Sequence, residues 1–405
     1  MSVIAIFSGI FCSADAVVRD VMDSTGYRLI SDDHLVTRAA ETSGMPESKV
    51  QRAFSAKTSV FNKFTHEKEC SIACLRLALA TELEKGPAMV HGFSSLLIPQ
   101  SVSHMLRVCI IAETPYRIEQ AEVVQGLTEK EALKQIRDRD ADNAAWTETV
   151  FSAKDPWETS LYDMVLPMNR MNVAKAGALI EENLIKDAVR RTNASMQAEK
   201  DFLLAATVEM ALCRAGHNVS ATAENGAVVL TINKQVLMLA RLEEELRSIA
   251  GKVAGVRSVK TVVGKNFHQT HIYRKHSFEI PSRVLLVDDE REFVQTLSER
   301  LELREMGSAV AYDGESALTL VAEDDPEVMI IDLKMPGIDG MEILKQVKTT
   351  RPEIEVIVLT GHGSEADRKR CMQLGAFAYM QKPVDIDELS ETLKKAHEKI
   401  RLFKS

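Results

Sequence analysis

Three apolar runs in the last third of the chain end abruptly in charge: VLLVDDE at 284–290, MIIDLKMPG at 329–337 and MQKP at 380–383. Apolar runs without polar alternation are what strands look like when helices cover both faces of a parallel sheet. In open α/β sheets the ligand crevice lies beyond the carboxyl ends of the strands, so Asp288, Asp289, Asp332 and Lys382 can converge although far apart in sequence. Three carboxylates in one crevice repel each other and hold raised pKa values unless something positive sits among them. A small set of oxygen ligands suits Mg²⁺, which keeps several waters and favours carboxylate and phosphate oxygens. A lysine ammonium suits a phosphoryl oxygen, and Thr360, ending the run EVIVLT at 355–360, offers a hydroxyl to another. The chemistry suggested is phosphoryl transfer onto a carboxylate.

The surrounding pattern alternates strand and helix five times. Strands are predicted at 284–287, 308–312, 328–331, 355–359 and 376–380. Phe293, Leu297 and Leu301 share one helix face, and Ile386, Leu389, Leu393, Ala396 and Ile400 repeat at three and four. An isolated Asp-Asp pair is ordinarily a helix cap. With Asp332, Thr360 and Lys382 at matching strand ends, a site is the better reading.

These residues resemble the receiver domain of two-component response regulators over about 120 residues. The resemblance implies that Asp332 is the phosphoacceptor. It implies Mg²⁺ held by Asp288, Asp289, Asp332 and the main-chain carbonyl of Lys334. It makes Thr360 and Lys382 the phosphate-sensing hydroxyl and lysine, and Tyr379 the aromatic that swings inward when Thr360 moves. It also implies a cis Lys382–Pro383 bond, and it puts Lys334 and His362 beside the path of the hydrolytic water.

At 405 residues the chain has room for two to four domains. A net charge of -9 offers no basic excess for nucleic acid or a membrane surface. The six cysteines, at 12, 70, 74, 109, 213 and 371, form no CxxC pair and no framework, so a reducing cytoplasm is expected. The apolar start MSVIAIFSGIFC lacks the basic residues of a signal peptide and reads as a buried strand. No run reaches the roughly 18 apolar residues of a membrane span.

Residues 1–195 open with strand VIAIFS at 3–8, a turn and a helix. Further units follow: a helix over about 69–85, then AMVHGF at 88–93 and MLRVCIIA at 105–112. This alternation predicts a second parallel sheet. The opening turn, TGYRLISDDHLVTRAAETSG at 25–44, RDADNAAW at 139–146 and LYDMVLPMNRMNVAKAGALI at 161–180 resemble the cytidylate kinase-like branch of the P-loop nucleoside monophosphate kinases. The chemistry departs from that pattern. A P-loop uses glycines to turn backbone N–H groups around phosphates. Here SGIFCSAD has one glycine, Gly9, and Asp15 puts negative charge near the phosphate position. Asn143 stands where a lid arginine belongs, which removes a planar phosphate donor. Arg137 and Arg139 could substitute for it but read more simply as a solvated face, and Asp32 and Asp33 read as caps of the following helix or as substrate contacts. His66, His91 and His104 have no metal-ligand spacing.

From 196 to 275 the order reads α-β-β-α-β, with a hairpin turn at Asn225-Gly226. NG-x-V-x-L and GV-x-x-V resemble a BON domain, although Ile232 replaces the family glycine. The segment is either a binding module or an α+β spacer. Residues 264–283 read as a linker, its core at 276–282, with His268 and His271 more simply linker polarity than metal ligands.

The whole is read as α/β: two doubly wound parallel-sheet domains, 1–195 and 283–405, with a small α+β domain between. The function implied is cytoplasmic phosphorelay signalling, with a sensor histidine kinase or phosphotransfer protein as donor and no DNA-binding output. The alternative is a receiver-gated nucleoside monophosphate kinase. The output partner, the ligand of the central domain and the oligomeric state have no signature in the sequence.

Overall fold

The computed structural model describes residues 2–234, 236, 238–264, 279–361 and 363–404. His268, His271 and His362 lie outside the described residues. The chain forms two compact units, one of Met1–Thr58 and Glu67–Tyr273, the other of Ser59–His66 and Arg274–Ser405.

In chain order the first unit begins with β1 (Val3–Ser8), α1 (Ala14–Thr25), β2 (Arg28–Ser31), α2 (Asp32–Ser43) and α3 (Glu47–Arg52). The short α4 (Asn62–Thr65) belongs to the second unit. The first unit resumes with α5 (Glu67–Leu83), β3 (Ala88–His91), β4 (Met105–Ile111), α6 (Thr114–Gln125), α7 (Glu129–Phe151), β5 (Met164–Pro167), α8 (Val173–Leu184) and α9 (Asn193–Arg214). Its main sheet is parallel throughout, in the order β2-β3-β1-β4-β5. Period-two alternation splits β1 between two cores: Val3, Ala5 and Phe7 pack with Ile30, Leu35 and Leu75, while Ile4 and Ile6 pack with Val17, Val21 and Ile110. Both faces are covered, which is why the strand shows no polar alternation.

A small sheet follows in the same unit: β6 (Ser220–Glu224) and β7 (Ala227–Ile232) form a hairpin, and after α10 (Leu239–Ala250), β8 (Ser258–Val263) joins β7 in parallel. Asn225 and Gly226 both have positive φ, 50° and 83°, as a two-residue turn of the primed kind requires. Helix α9 ties this sheet to α5. Arg76 Nη1 meets Glu209 Oε1 at 3.0 Å, and the same oxygen accepts the N–H of Ala221 at 2.9 Å. Cys70 on α5 and Cys213 on α9 are joined as a disulfide, their Cα atoms 5.6 Å apart. Cysteine spacing, which showed no framework and suggested a reducing compartment, gave no sign of this pair. The partners are 143 residues apart in sequence, and only the packing of the two helices brings them together.

The second unit alternates β9 (Val284–Val287), α11 (Arg291–Glu302), β10 (Ser308–Ala311), α12 (Gly314–Asp324), β11 (Val328–Ile331), α13 (Gly340–Thr350), β12 (Glu355–Thr360), α14 (Glu365–Gln373), β13 (Ala378–Gln381) and α15 (Ile386–Lys404). Its parallel sheet runs β10-β9-β11-β12-β13. Leu285, Val287, Met329 and Ile331 face one core with α12 and α13. Val284, Leu286, Val328 and Ile330 face the other with α11 and α15. Among the described residues no helix is long and apolar enough to cross a membrane.

Glu82, at the end of α5 with 4% of its side chain exposed, is met by Arg28 at 2.9 Å, Lys85 at 2.6 Å and His34 at 3.4 Å. Burial pushes its pKa up, but the Lys85 and His34 contacts outweigh burial and hold it below 4.5. A depressed carboxylate adds stability that is present above its unfolded pKa and lost as pH falls through the folded value. Glu82→Gln should therefore cost about 1–3 kcal/mol at neutral pH. It should also flatten the acid limb of the unit's urea midpoint against pH; an unchanged limb would show that the cluster contributes nothing.

Candidate functional site

The second sheet reverses its strand order between β9 and β11, and the ends of these two strands lead into Asp288 and Asp332. Such a reversal leaves a crevice between diverging connections. Strand β13 ends at Gln381, so Lys382 leaves the same edge of the sheet. Its Nζ lies 2.7 Å from Asp288 Oδ2, 3.1 Å from Asp332 Oδ2 and 3.0 Å from Glu290 Oε1. The Phe293 ring centroid is 4.5 Å from the same nitrogen. Asp288, Asp289 and Asp332 each offer an oxygen within 4.8 Å of the others. The structure thus brings together the acids and the lysine that the sequence singled out. It adds Glu290, the third acid of VLLVDDE, which sequence reasoning passed over.

Burial pushes the Asp288 carboxyl above 3.8, and the Asp332 charge adds to the rise. Lys382 and the Glu290 N–H, which donates to Oδ1 at 3.0 Å, offset this only in part. For Lys382, burial is the largest single influence and pulls its pKa down, but the three carboxylates together carry it above 10.5. Three carboxylates around one ammonium, with Asp289 beside them, leave a negative excess. An all-oxygen donor set with surplus negative charge fits a hard divalent cation.

Thr360, fully buried, ends β12. The Tyr379 hydroxyl is buried without a hydrogen-bond partner, and a Cβ on Gly363 would fall on that hydroxyl and 3.0 Å from Thr360 Cγ2. Thr360, Gly363 and Tyr379 are therefore packed together. Gly340 approaches the Asp332 carbonyl so closely that a side chain there would displace the loop. The Lys334 N–H donates to Asp332 Oδ1 at 3.4 Å, and the Lys382–Pro383 bond is cis.

The first unit has its own crevice where β1 and β3 end, about 600 Å³ in volume. In its opening turn Phe11 and Ser13 take positive φ, 59° and 56°, positions where glycine would be unstrained. Arg117, 5% exposed, donates to the Ile10 carbonyl at 2.9 Å and through both terminal nitrogens to Asp140 at 2.8 Å. Its charge is neutralised beneath the turn. Burial pushes the Cys12 thiol up to about 11, which disfavours its thiolate.

Asp15, with 88% of its side chain exposed, lines the cavity 3.8 Å from His91 Nδ1. Arg139 also lines it, exposed as a solvated face would have it, with its guanidinium 4.2 Å from the Phe93 ring centroid. Asp32 is corrected: Ser31 caps α2, and the Asp32 carboxylate accepts the N–H groups of Phe93 and Ser94 at 2.8 Å. Asn143 is buried with no partner for Nδ2. The charged residues lining the cavity are Arg19 and Arg139 against Asp15, Asp32 and Asp33, a balance unsuited to polyphosphate.

Comparison with known proteins matches residues 284–394 to the response regulator receiver domain and residues 3–170 to the cytidylate kinase-like family. The chain carries both. Response regulator MprA of Mycolicibacterium vanbaalenii is 34% identical over 110 residues, which cover 27% of this chain and 48% of that protein. The C4-dicarboxylate transport transcriptional regulatory protein DctD of Pseudomonas aeruginosa is 35% identical over 125 residues, 31% of this chain and 27% of that protein. A crystal structure of a receiver domain protein from Clostridium thermocellum is 34% identical with a TM-score of 0.29, covering 30% of this chain and 97% of that one. This chain spans less than half the length of the two curated relatives. Its receiver domain is homologous to those of response regulators.

The crowded carboxylates predict a cation-dependent stability. Mg²⁺ at about a hundredfold excess over its dissociation constant should stabilise the receiver by about 2.7 kcal/mol, read as a rise in its thermal midpoint. Asp288→Asn should remove the rise. Because Asp288 holds its proton above the ordinary carboxylate value, the rise should fade with decreasing pH through that raised pKa. A rise independent of pH and of Asp288 would place the cation elsewhere.

Proposed function

We propose that this protein is a two-component signalling protein whose receiver accepts a phosphoryl group on Asp332 and so regulates the upstream modules or a protein partner. The observation that carries the reading is the Lys382 ammonium poised between Asp288 and Asp332 at the switch point of a parallel sheet. A carboxylate oxygen of Asp332 attacks the phosphorus of a phosphorylated imidazole on a sensor histidine kinase or phosphotransfer protein. The P–O bond forms as the P–N bond breaks, imidazole leaves with the electron pair, and an acyl phosphate remains on Asp332.

Mg²⁺, bound by Asp288, Asp289, Asp332 and the Lys334 carbonyl, would supply charge neutralisation for the phosphoryl oxygens. Lys382 adds the second positive charge, and the Thr360 hydroxyl meets a phosphoryl oxygen. Tyr379, packed against Gly363 beside Thr360, then responds to Thr360 as a two-state element.

In the same reading residues 1–195 are a kinase-shaped module without transfer activity, 196–275 a BON-like module, 276–282 a linker and 283–405 the receiver. The neutralised Arg117, Asp15 at the turn and the missing lid arginine at Asn143 support the loss of activity. The retained cavity of about 600 Å³ favours a second reading, a receiver-gated nucleoside monophosphate kinase.

Asp332→Ala should abolish Mg²⁺-dependent labelling by acetyl phosphate, followed by intact mass, and Lys382→Ala should slow it at least tenfold. Undiminished labelling of Asp332→Ala would sink the assignment. Calorimetry with ATP and CMP before and after phosphorylation separates the two readings. Micromolar binding that changes with phosphorylation supports the gated kinase, and no binding in either state leaves an inactive kinase-shaped module.

A further inference from the structure

A piece of chain from far upstream belongs to the receiver unit. Residues Ser59–His66 lie in it, although the residues on either side of them in sequence belong to the other unit. Phe61 is fully buried and shares the core cluster of Leu285, Val287, Ala311, Met329 and Ile331. Phe64, 6% exposed, lies against Gly307, where an added Cβ would come 2.7 Å from its Cγ. Lys63 Nζ is 4.0 Å from Glu302 at the end of α11. These contacts fix the segment at the approach to β10, which is an edge strand of the receiver sheet. The segment carries its own short helix, α4.

The cluster that seats Phe61 also contains Leu333 and Met335, the first and third residues after Asp332. A new doubly charged group on Asp332 acts on this loop first. Packed cores change between discrete arrangements rather than deforming smoothly, so a shift at Leu333 and Met335 is paid out as a different seating for their neighbours.

We propose that Ser59–His66 is the receiver's output strap: phosphorylation of Asp332 reseats Phe61, and the change runs along the chain into α5. The connection is covalent and has no slack, since α5 begins at Glu67, directly after His66. Helix α5 in turn carries Cys70 and Arg76, which hold α9 through the disulfide and Glu209. A change entering α5 thus reaches the helix pair that joins the kinase-like sheet to the small sheet. This inference rests on Asp332 being the phosphoacceptor.

The test is hydrogen exchange by mass spectrometry on the full-length protein, with and without acetyl phosphate and Mg²⁺, with occupancy of Asp332 followed by peptide mass. The amides of residues 59–66 and of the first turn of α5 are expected to change their exchange rate at least about fivefold, the lower end of typical coupling between sites. Labelled Asp332 with unchanged exchange at 59–66 overturns the strap and leaves the receiver reading standing. Failure to label Asp332 overturns both.

Linkage is reciprocal, so Phe61→Ala should shift the apparent affinity for beryllofluoride, a phosphoryl mimic, by a similar factor, and Phe61→Leu should restore most of it. Equal affinities in a folded Phe61→Ala protein would also overturn the proposal. If that variant does not fold, the wild-type exchange experiment decides alone.

Discussion

The contact on which the receiver crevice depends is between one ammonium and the carboxylates around it. Lys382 enters from the edge strand β13, and the parallel pairing of Thr360 with Gln381 sets how far along the sheet it emerges. The side chain, 11% exposed, then reaches Asp288 and Asp332 at the strand-order reversal. Gathering buried acids around one lysine is a poor way to stabilise a fold, because desolvation offsets much of the Coulomb attraction. The surplus of negative charge is what the proposed cation would offset.

The first unit is also built on a five-stranded parallel sheet, but in a different strand order, β2-β3-β1-β4-β5 against β10-β9-β11-β12-β13. Its crevice also lies beyond the ends of parallel strands, but its buried arginine, Arg117, is consumed by Asp140 and by the Ile10 carbonyl. The turn that should wrap phosphate puts Phe11 and Ser13 where glycines would be unstrained. Two parallel sheets of different strand order thus carry an acid-rich crevice around a lysine in one unit and a crevice whose buried arginine is already paired in the other. A shared fold class therefore does not assign activity.

The strands and the helices between them could be read from the sequence with little error. The expected run 328–331 is β11 itself, and the expected 376–380 became Ala378–Gln381. Alternation of apolar residues is local, so it survives without knowledge of the fold. The acids and Lys382 were legible for the same reason: each sits at the end of an apolar run, and a parallel sheet places all such ends on one edge. Glu290 was missed because nothing marks a third acid as facing a lysine 92 residues away.

The sequence by itself determined two parallel sheets and the residues at their carboxyl ends, because strand periodicity and strand polarity are properties of short stretches. Only the tertiary structure decided that Asp32 accepts the N–H groups of Phe93 and Ser94, that Cys70 meets Cys213, and that Phe61 completes a core assembled more than 200 residues later. Each of these pairings joins groups remote in sequence, and their residue types are ordinary in their local setting. Their meaning comes from the close packing of surfaces, which no stretch of chain carries alone.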